Sequence, residues 1–233
     1  KAGPGRAWHG AAWQGEARLG EAGLGKVYLG GFPVAKKIVT DSADDGATKV
    51  RVRLEGRRPI MFDRYPGDNK TALPPEQKLY LAEDGETIVL PALNIISFLG
   101  AVNTDSAARL IFDKRVFKEA AKAMQGFIDI EPQLIPFERD GQPIKFSGFD
   151  ASGRDHTARV YVRHDVARLA KGVPNPKVRP VLELPWALSF TLTIWQHPQF
   201  STQNVYQALV EGGRYIGLGT YRGVFGKFVV AEW

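Results

Sequence analysis

The chain contains no cysteine. Disulfides and thiolate chemistry are thereby excluded, and a reducing cytosol is the expected setting. Histidine is scarce, with only His9, His156, His164 and His197. No two of them stand at i, i+4 or as HxH, so a zinc site would need scattered His and Asp, and neither metal nor cofactor is expected. No apolar run approaches the ~20 residues that span a bilayer, so no membrane association is expected. The first 30 residues lack a continuous apolar core, and no secretory signal is expected in them. "NKT" at Asn69 matches a glycosylation acceptor in form only, given the cytosolic setting. There is no internal repeat.

What is present is a chain of 233 residues with 44% hydrophobic content, enough to bury a real core. The net charge of +6 is unevenly spread. Residues 1 to 40 carry six Lys or Arg against two Glu (+4), residues 41 to 150 fifteen against eighteen (−3), and residues 151 to 233 ten against five (+5). A basic C-terminal third suits a polyanion partner.

Residues 1 to 40 read as a glycine-rich irregular leader, because Gly and Pro at that density oppose regular elements. From residue 41 to 233 a single α+β domain is expected, with an insertion at about 56–90. In "TKVRVRLEG", Val50, Val52 and Leu54 alternate with Lys49, Arg51 and Arg53, a half-buried strand with a basic outer face. "RRPIMFDRYPGDNKTALPPEQ" reads as loop. "KLYLAEDGETIVLP" reads as a hairpin turning through Glu83, Asp84 and Gly85. "ALNIISFLGAV" and "DKRVFKEAAKAMQG" are helices; in the second, Val116, Ala120 and Ala123 or Met124 line the inner face. "FIDIEP" is a strand and "LPWALSFTLTIW" a longer one. "HPQFSTQNVYQALVEGG" supplies a hydroxyl cap and a helix that Gly212 is placed to stop, and "KFVVAEW" is a final strand. Two β-α-β units in this order predict a ferredoxin-like sandwich with a hairpin-bearing insertion.

The segment "GGRYIGLGTYRGVFGKFVV" concentrates six glycines, three cations and four aromatics in nineteen residues. It is no dinucleotide fingerprint: Arg222 stands at the third glycine position, and the loop precedes a strand where the fingerprint must open a helix. Nor is it a phosphate loop of the Walker type, since Phe228 follows Gly226-Lys227 where a hydroxyl is needed for magnesium. A tight turn and bulge would explain one or two of the glycines. Arg214, Arg222 and Lys227 interleaved with Tyr215, Tyr221 and Phe225 are what single-stranded nucleic acid asks for.

A helix, a glycine-rich loop of the GhGxxxxxGxG type with a basic residue, and a closing strand in a ferredoxin-like domain resemble the RAMP superfamily of CRISPR-associated proteins. The match is "GLGTYRGVFGKF", with Gly217, Gly219 and Arg222 in place and Gly223 and Gly226 shifted to a GxxG spacing. The resemblance covers about the last 50 residues. RAMP proteins bind CRISPR RNA as effector subunits or process its transcript. The resemblance therefore implies an RNA partner, with Arg214, Arg222 and Lys227 on phosphates. It also implies close backbone approach at Gly217, Gly219 and Gly223, and a base on Tyr221. Subunits of this kind assemble, so other subunits of a ribonucleoprotein, or further copies of the chain, are expected partners.

A second basic stretch, "RHDVARLAKGVPNPKVRPVLELPW", reads as a Pro-punctuated loop in which Lys177 and Arg179 contact phosphate or simply face water. For catalysis, His164 is the candidate general acid, with His156 behind it. Asp41, Asp44 and Asp45 read as a solvated loop, and Asp129 with Glu131 as a strand end more than a magnesium site. Three functions stay open on these residues: a non-catalytic RNA-binding subunit, a metal-independent endoribonuclease on the same fold, and an assembly protein of a phage or mobile element.

Overall fold

Solvent exposure alternates along the central strand as the sequence pattern requires. Val50, Val52 and Leu54 are sealed from water while Lys49 and Arg51 between them are exposed. The computed structural model describes residues 40–42, 46–68, 71–102, 105–168 and 174–233. The leader up to residue 39, Asp44, Asp45 and Asn69 lie outside the described residues.

In chain order the strands begin with β1 (Thr40–Ser42), β2 (Ala47–Gly56), β3 (Ile60–Met61) and β4 (Val89–Pro91). Three helices follow, α1 (Ala92–Gly100), α2 (Ala108–Ile111) and α3 (Phe117–Gly126), and then β5 (Ile128–Glu131), β6 (Leu134–Arg139) and β7 (Gln142–Pro143). The last part holds β8 (Arg154–Asp155), β9 (Val160–Arg168), β10 (Pro174–Leu182), β11 (Ala187–Trp195), α4 (Thr202–Tyr215) and β12 (Phe228–Glu232).

Four of these strands form the heart of the larger sheet in the order β12–β2–β11–β5, all antiparallel. β2 reaches β5 through α1 to α3, and β11 reaches β12 through α4. Each β-α-β unit is thus split by one strand of the other, which is the ferredoxin-like arrangement expected from the element order. β1 continues along the free part of the β2 edge, β6 prolongs the β5 side of β11, and β4 and β7 flank β6. A second, four-stranded sheet runs β3–β10–β9–β8.

The helices cover the face of Val50, Val52, Leu54, Leu188, Leu192 and Ile130, where Ile95, Phe98, Met124 and Leu209 complete a sealed core. Each such side chain contributes about 1.5–3 kcal/mol by leaving water. Val116 was expected on the inner face of α3, but it precedes the helix and is exposed; Ala120, Ala121, Ala123 and Met124 make that face.

Three further expectations are corrected. Gly212 does not stop its helix: α4 runs on to Tyr215. A Cβ on Gly212 would run into the Phe98 ring and Ala107, and one on Gly213 would meet Phe228 at 2.7 Å. These glycines let α4 lie close to its neighbours. The stretch read as a Pro-punctuated loop is instead the long hairpin β9–β10, paired over nine residues from Val160↔Leu182 to Arg168↔Pro174. Likewise Ile60–Met61, inside the segment read as loop, pairs with β10.

The hairpin at 80–89 does turn at 82–85, with Gly85 at φ +72° and its N–H on the Ala82 carbonyl. Asp84 holds the return: its carboxylate accepts from the Thr87 hydroxyl (2.6 Å), the Thr87 N–H (2.8 Å) and the Glu86 N–H (3.0 Å). Those bonds, the Thr87 hydroxyl foremost, lower the Asp84 pKa to about 2. A depressed carboxylate stabilises the fold above its unfolded pKa, near 4, and that contribution disappears as pH falls through the folded value. NMR titration of the Asp84 carboxyl is expected to show a midpoint at about 2, and Thr87→Val to raise it toward the ordinary range.

Candidate nucleic-acid interface

Residues 216–227 form a loop folded back on itself. The Ile216 and Gly217 N–H groups close α4 on the Gly212 carbonyl; Leu218 N–H bonds Gly226 O at 2.9 Å, and Gly223 N–H bonds Ile216 O at 2.6 Å. The loop is also zipped to the segment after β2. Gly226 N–H donates to Pro59 O, Thr220 N–H to Met61 O, and the N–H groups of Arg57 and Arg58 to Lys227 O. Trp186, itself buried, donates its indole N–H to the Arg58 carbonyl at 2.9 Å and fixes that segment from below.

The glycines divide by environment. At Gly217 (φ +84°) a Cβ would stand 2.5 Å from the Phe225 carbonyl, and at Gly219 (φ +78°) 2.5 Å from that of Met61. Their freedom serves the loop's own packing. Gly223 (φ +85°) has open space around it, and of the three glycines expected to admit a ligand backbone it is the one with that space.

Arg222 is partly buried on this loop. Its Nε donates to the Gly219 carbonyl (3.3 Å) and its Nη1 to the Asp105 carbonyl (3.1 Å). Burial lowers its pKa, opposed by the charge of Asp105. Among the described residues no carboxylate is within ion-pair distance of it, so main-chain oxygens position the cation and the Asp105 charge acts on it only from beyond direct contact. Tyr221, 56% exposed and at φ +55°, lies beside the loop with its ring 6.0 Å from that of Phe225. Lys227 is partly exposed, and Arg57 and Arg58 are exposed. Arg214, at the end of α4, lies 5.8 Å over the exposed ring of Tyr215.

The long hairpin joins this face. Phe225 is buried with Met61, Val181 and Tyr161, and the Arg163 guanidinium sits 5.4 Å over its ring. In the β9–β10 register Arg163 lies opposite Arg179 and Asp165 opposite Lys177, so all four share the face that meets the loop. Arg163 grips both Asp165 oxygens at 2.9 Å, which raises its pKa. The Lys177 side chain has no hydrogen bond or ion pair among the described residues. Arg179 departs from expectation: its Nε is 2.7 Å from Asp63, which also takes Lys78 at 3.4 Å, and its side chain is only 11% exposed. Its charge is committed within the fold.

His164, the candidate general acid, occupies the other face of the hairpin with Val162 and Val178 and is turned away from the loop. His156 Nε2 lies 3.2 Å from Asp150, in an exposed turn before β9. The sequence reading missed Arg57 and Arg58, and it placed Arg163 only within a basic stretch. Two adjacent arginines directly after a basic strand were the available signal for that pair; the place of Arg163 over Phe225 had none, because only the fold of β9 against the loop brings the two together.

No family model matches the chain, and neither does any curated protein. Eighteen chains of solved structures match. One is a Cas6 product complex, at 13% identity and a TM-score of 0.27, over 77% of this chain and 50% of that chain. The chain thus spans half the length of the Cas6 chain. Among the described residues no helix is long and apolar enough to cross a membrane.

Proposed function

We propose that this chain is a non-catalytic RNA-binding subunit of a CRISPR-type ribonucleoprotein, and that it meets the sugar–phosphate backbone on the face built by the glycine loop, Arg57, Arg58 and the near face of the β9–β10 hairpin. The observation that carries the reading is Arg222: a partly buried guanidinium held by two main-chain carbonyls, with no carboxylate in direct contact among the described residues. A cation in that state is stabilised by an external anion, and a phosphate supplies one. Lys227 on the same loop and Arg57 and Arg58 on the segment bonded to it add charge, and Tyr221 offers an exposed ring for a base. The glycine-loop motif and the ferredoxin-like strand order support the CRISPR assignment. A non-catalytic role fits the position of His164 on the far side of the hairpin.

Binding of labelled single-stranded RNA to RNase-treated, high-salt-washed protein tests this. Four cations on four phosphates give a slope of log K against log salt of about −3, from about −0.7 per contact. The Arg57→Ala, Arg58→Ala double variant is expected to weaken every RNA sequence alike, by roughly tenfold, and to flatten the slope by about 1.4. The RNA is expected to be recovered uncut. Binding that ignores salt would falsify the proposal, and co-purified RNA without CRISPR repeats would remove its finer part.

A further inference from the structure

The sheet face turned away from the helices carries an ordered charge pattern that the RNA-binding reading leaves unused. Across β2, β11 and β5 the paired positions read Lys49–Thr193–Asp129, then Arg51–Thr191–Glu131. A third set follows: Arg53 is paired with Ser189, and Glu138 of β6, in register with Ala187 on the same face, supplies the acid. Every row runs cation, hydroxyl, anion.

The third row closes on itself: Arg53 Nη1 reaches Glu138 at 2.9 Å and Ser189 at 2.9 Å, and Ser189 donates to Glu138 at 3.2 Å. The first two rows stay open. Their cation and anion columns lie two strand spacings apart, about 9.5 Å, and among the described residues no ion pair joins Arg51, Asp129 or Glu131 to anything; Asp129 Oδ1 accepts from the Ile130 N–H at 2.8 Å and the Gln133 amide at 3.5 Å. The anionic column repels a phosphate chain, and the rows carry no aromatic ring for a base.

We propose that this face binds a second copy of the chain. A two-fold axis parallel to β11, midway between two such faces, exchanges left and right while keeping each row at its level. It sets Lys49 against the partner's Asp129 and Arg51 against the partner's Glu131, with both Thr191 side chains on the axis. That is the self-complementarity of an isologous contact. Packed sheets stand about 10 Å apart, within reach of an arginine and a glutamate extended from opposite sides. Charge complementarity fixes the register and makes the association sensitive to salt. None of these residues belongs to the glycine-loop face, so the dimer and RNA binding can fail separately.

The Arg51–Glu131 row is the one to test, since β1 places Asp41 in register with Lys49 at the sheet edge. Sedimentation equilibrium of RNase-treated protein is expected to show a dimer at low salt that dissociates at high salt. Arg51→Glu and Glu131→Arg are each expected to raise the dissociation constant by ~10-fold or more, and the double variant to restore it. Because the chain has no cysteine, Thr191→Cys places one thiol per copy on the axis, where a short bismaleimide should link the two copies at low salt. Protein that stays monomeric at every salt concentration overturns the proposal, as does a dimer indifferent to Arg51→Glu, a double variant that fails to recover, or association that appears only with RNA. Equal melting temperatures among the variants establish that folding is intact. The cross-link reads the contact without altering any charge.

Discussion

Arg222→Glu is expected to lower RNA affinity by ~100-fold, the largest binding effect of any single substitution on this face. Removing a positioned cation forfeits a charge-assisted contact of about 1.5–3 kcal/mol. Placing a carboxylate at the same point adds repulsion toward the phosphate that the guanidinium had received. Arg222→Lys separates charge from geometry. It keeps the cation, but its single ammonium cannot reproduce the fork that holds the Gly219 and Asp105 carbonyls at once. Its affinity should fall between the two, with the salt slope of the unsubstituted protein. Fluorescence anisotropy across a salt series distinguishes the outcomes; unchanged affinity in Arg222→Glu sinks the loop as the RNA contact.

The second expected result concerns the loop as a structure. Gly226→Ala should destabilise the protein by ~3 kcal/mol or more. At φ +67° a left-handed backbone penalises any Cβ by roughly 1–2 kcal/mol, and here the Cβ would be driven into the Leu218 carbonyl. Relieving that overlap strains both the Leu218–Gly226 bond and the Gly226–Pro59 bond, an overpacking term of about 1–3 kcal/mol more. Gly223→Ala is the internal comparison. It has a similar φ of +85° but open space around it, so only the first term applies. Chemical denaturation should therefore show a midpoint loss for Gly226→Ala at least twice that for Gly223→Ala. Equal losses would mean the loop does not pack in this way.

Together the two results separate holding the loop from using it. Gly217 and Gly226 let the loop fold closely on itself and Gly219 packs it against Ile60 and Met61, whereas Arg222, Gly223 and Tyr221 are presented to the outside. The loop is thus a mount for Arg222, and main-chain bonds from Lys227, Gly226 and Thr220 fasten the segment of Arg57 and Arg58 to it.

The sequence by itself determined the elements whose periods are set locally. β2, β5, β11, α1 and α4 were legible because alternation or a 3.6-residue period survives over most of their length, and their order alone specifies the split β-α-β arrangement. It also determined that the glycine loop is neither a dinucleotide nor a Walker site, since those motifs depend on contiguous residues. Only the tertiary structure decided the rest, wherever a residue's role depends on a partner distant in sequence. Gly212 looked like a helix stop because nothing local shows the Phe98 ring against it. The hairpin β9–β10 was hidden by three prolines in its second strand, which break propensity without breaking the pairing with β9. Arg179 was indistinguishable from Lys177 until Asp63, 116 residues away, claimed one of the two. The rows across β2, β11 and β5 exist only through register: charges from three separate segments become neighbours because backbone hydrogen bonds, satisfied pair by pair, leave the strands one alignment that keeps the apolar side inward.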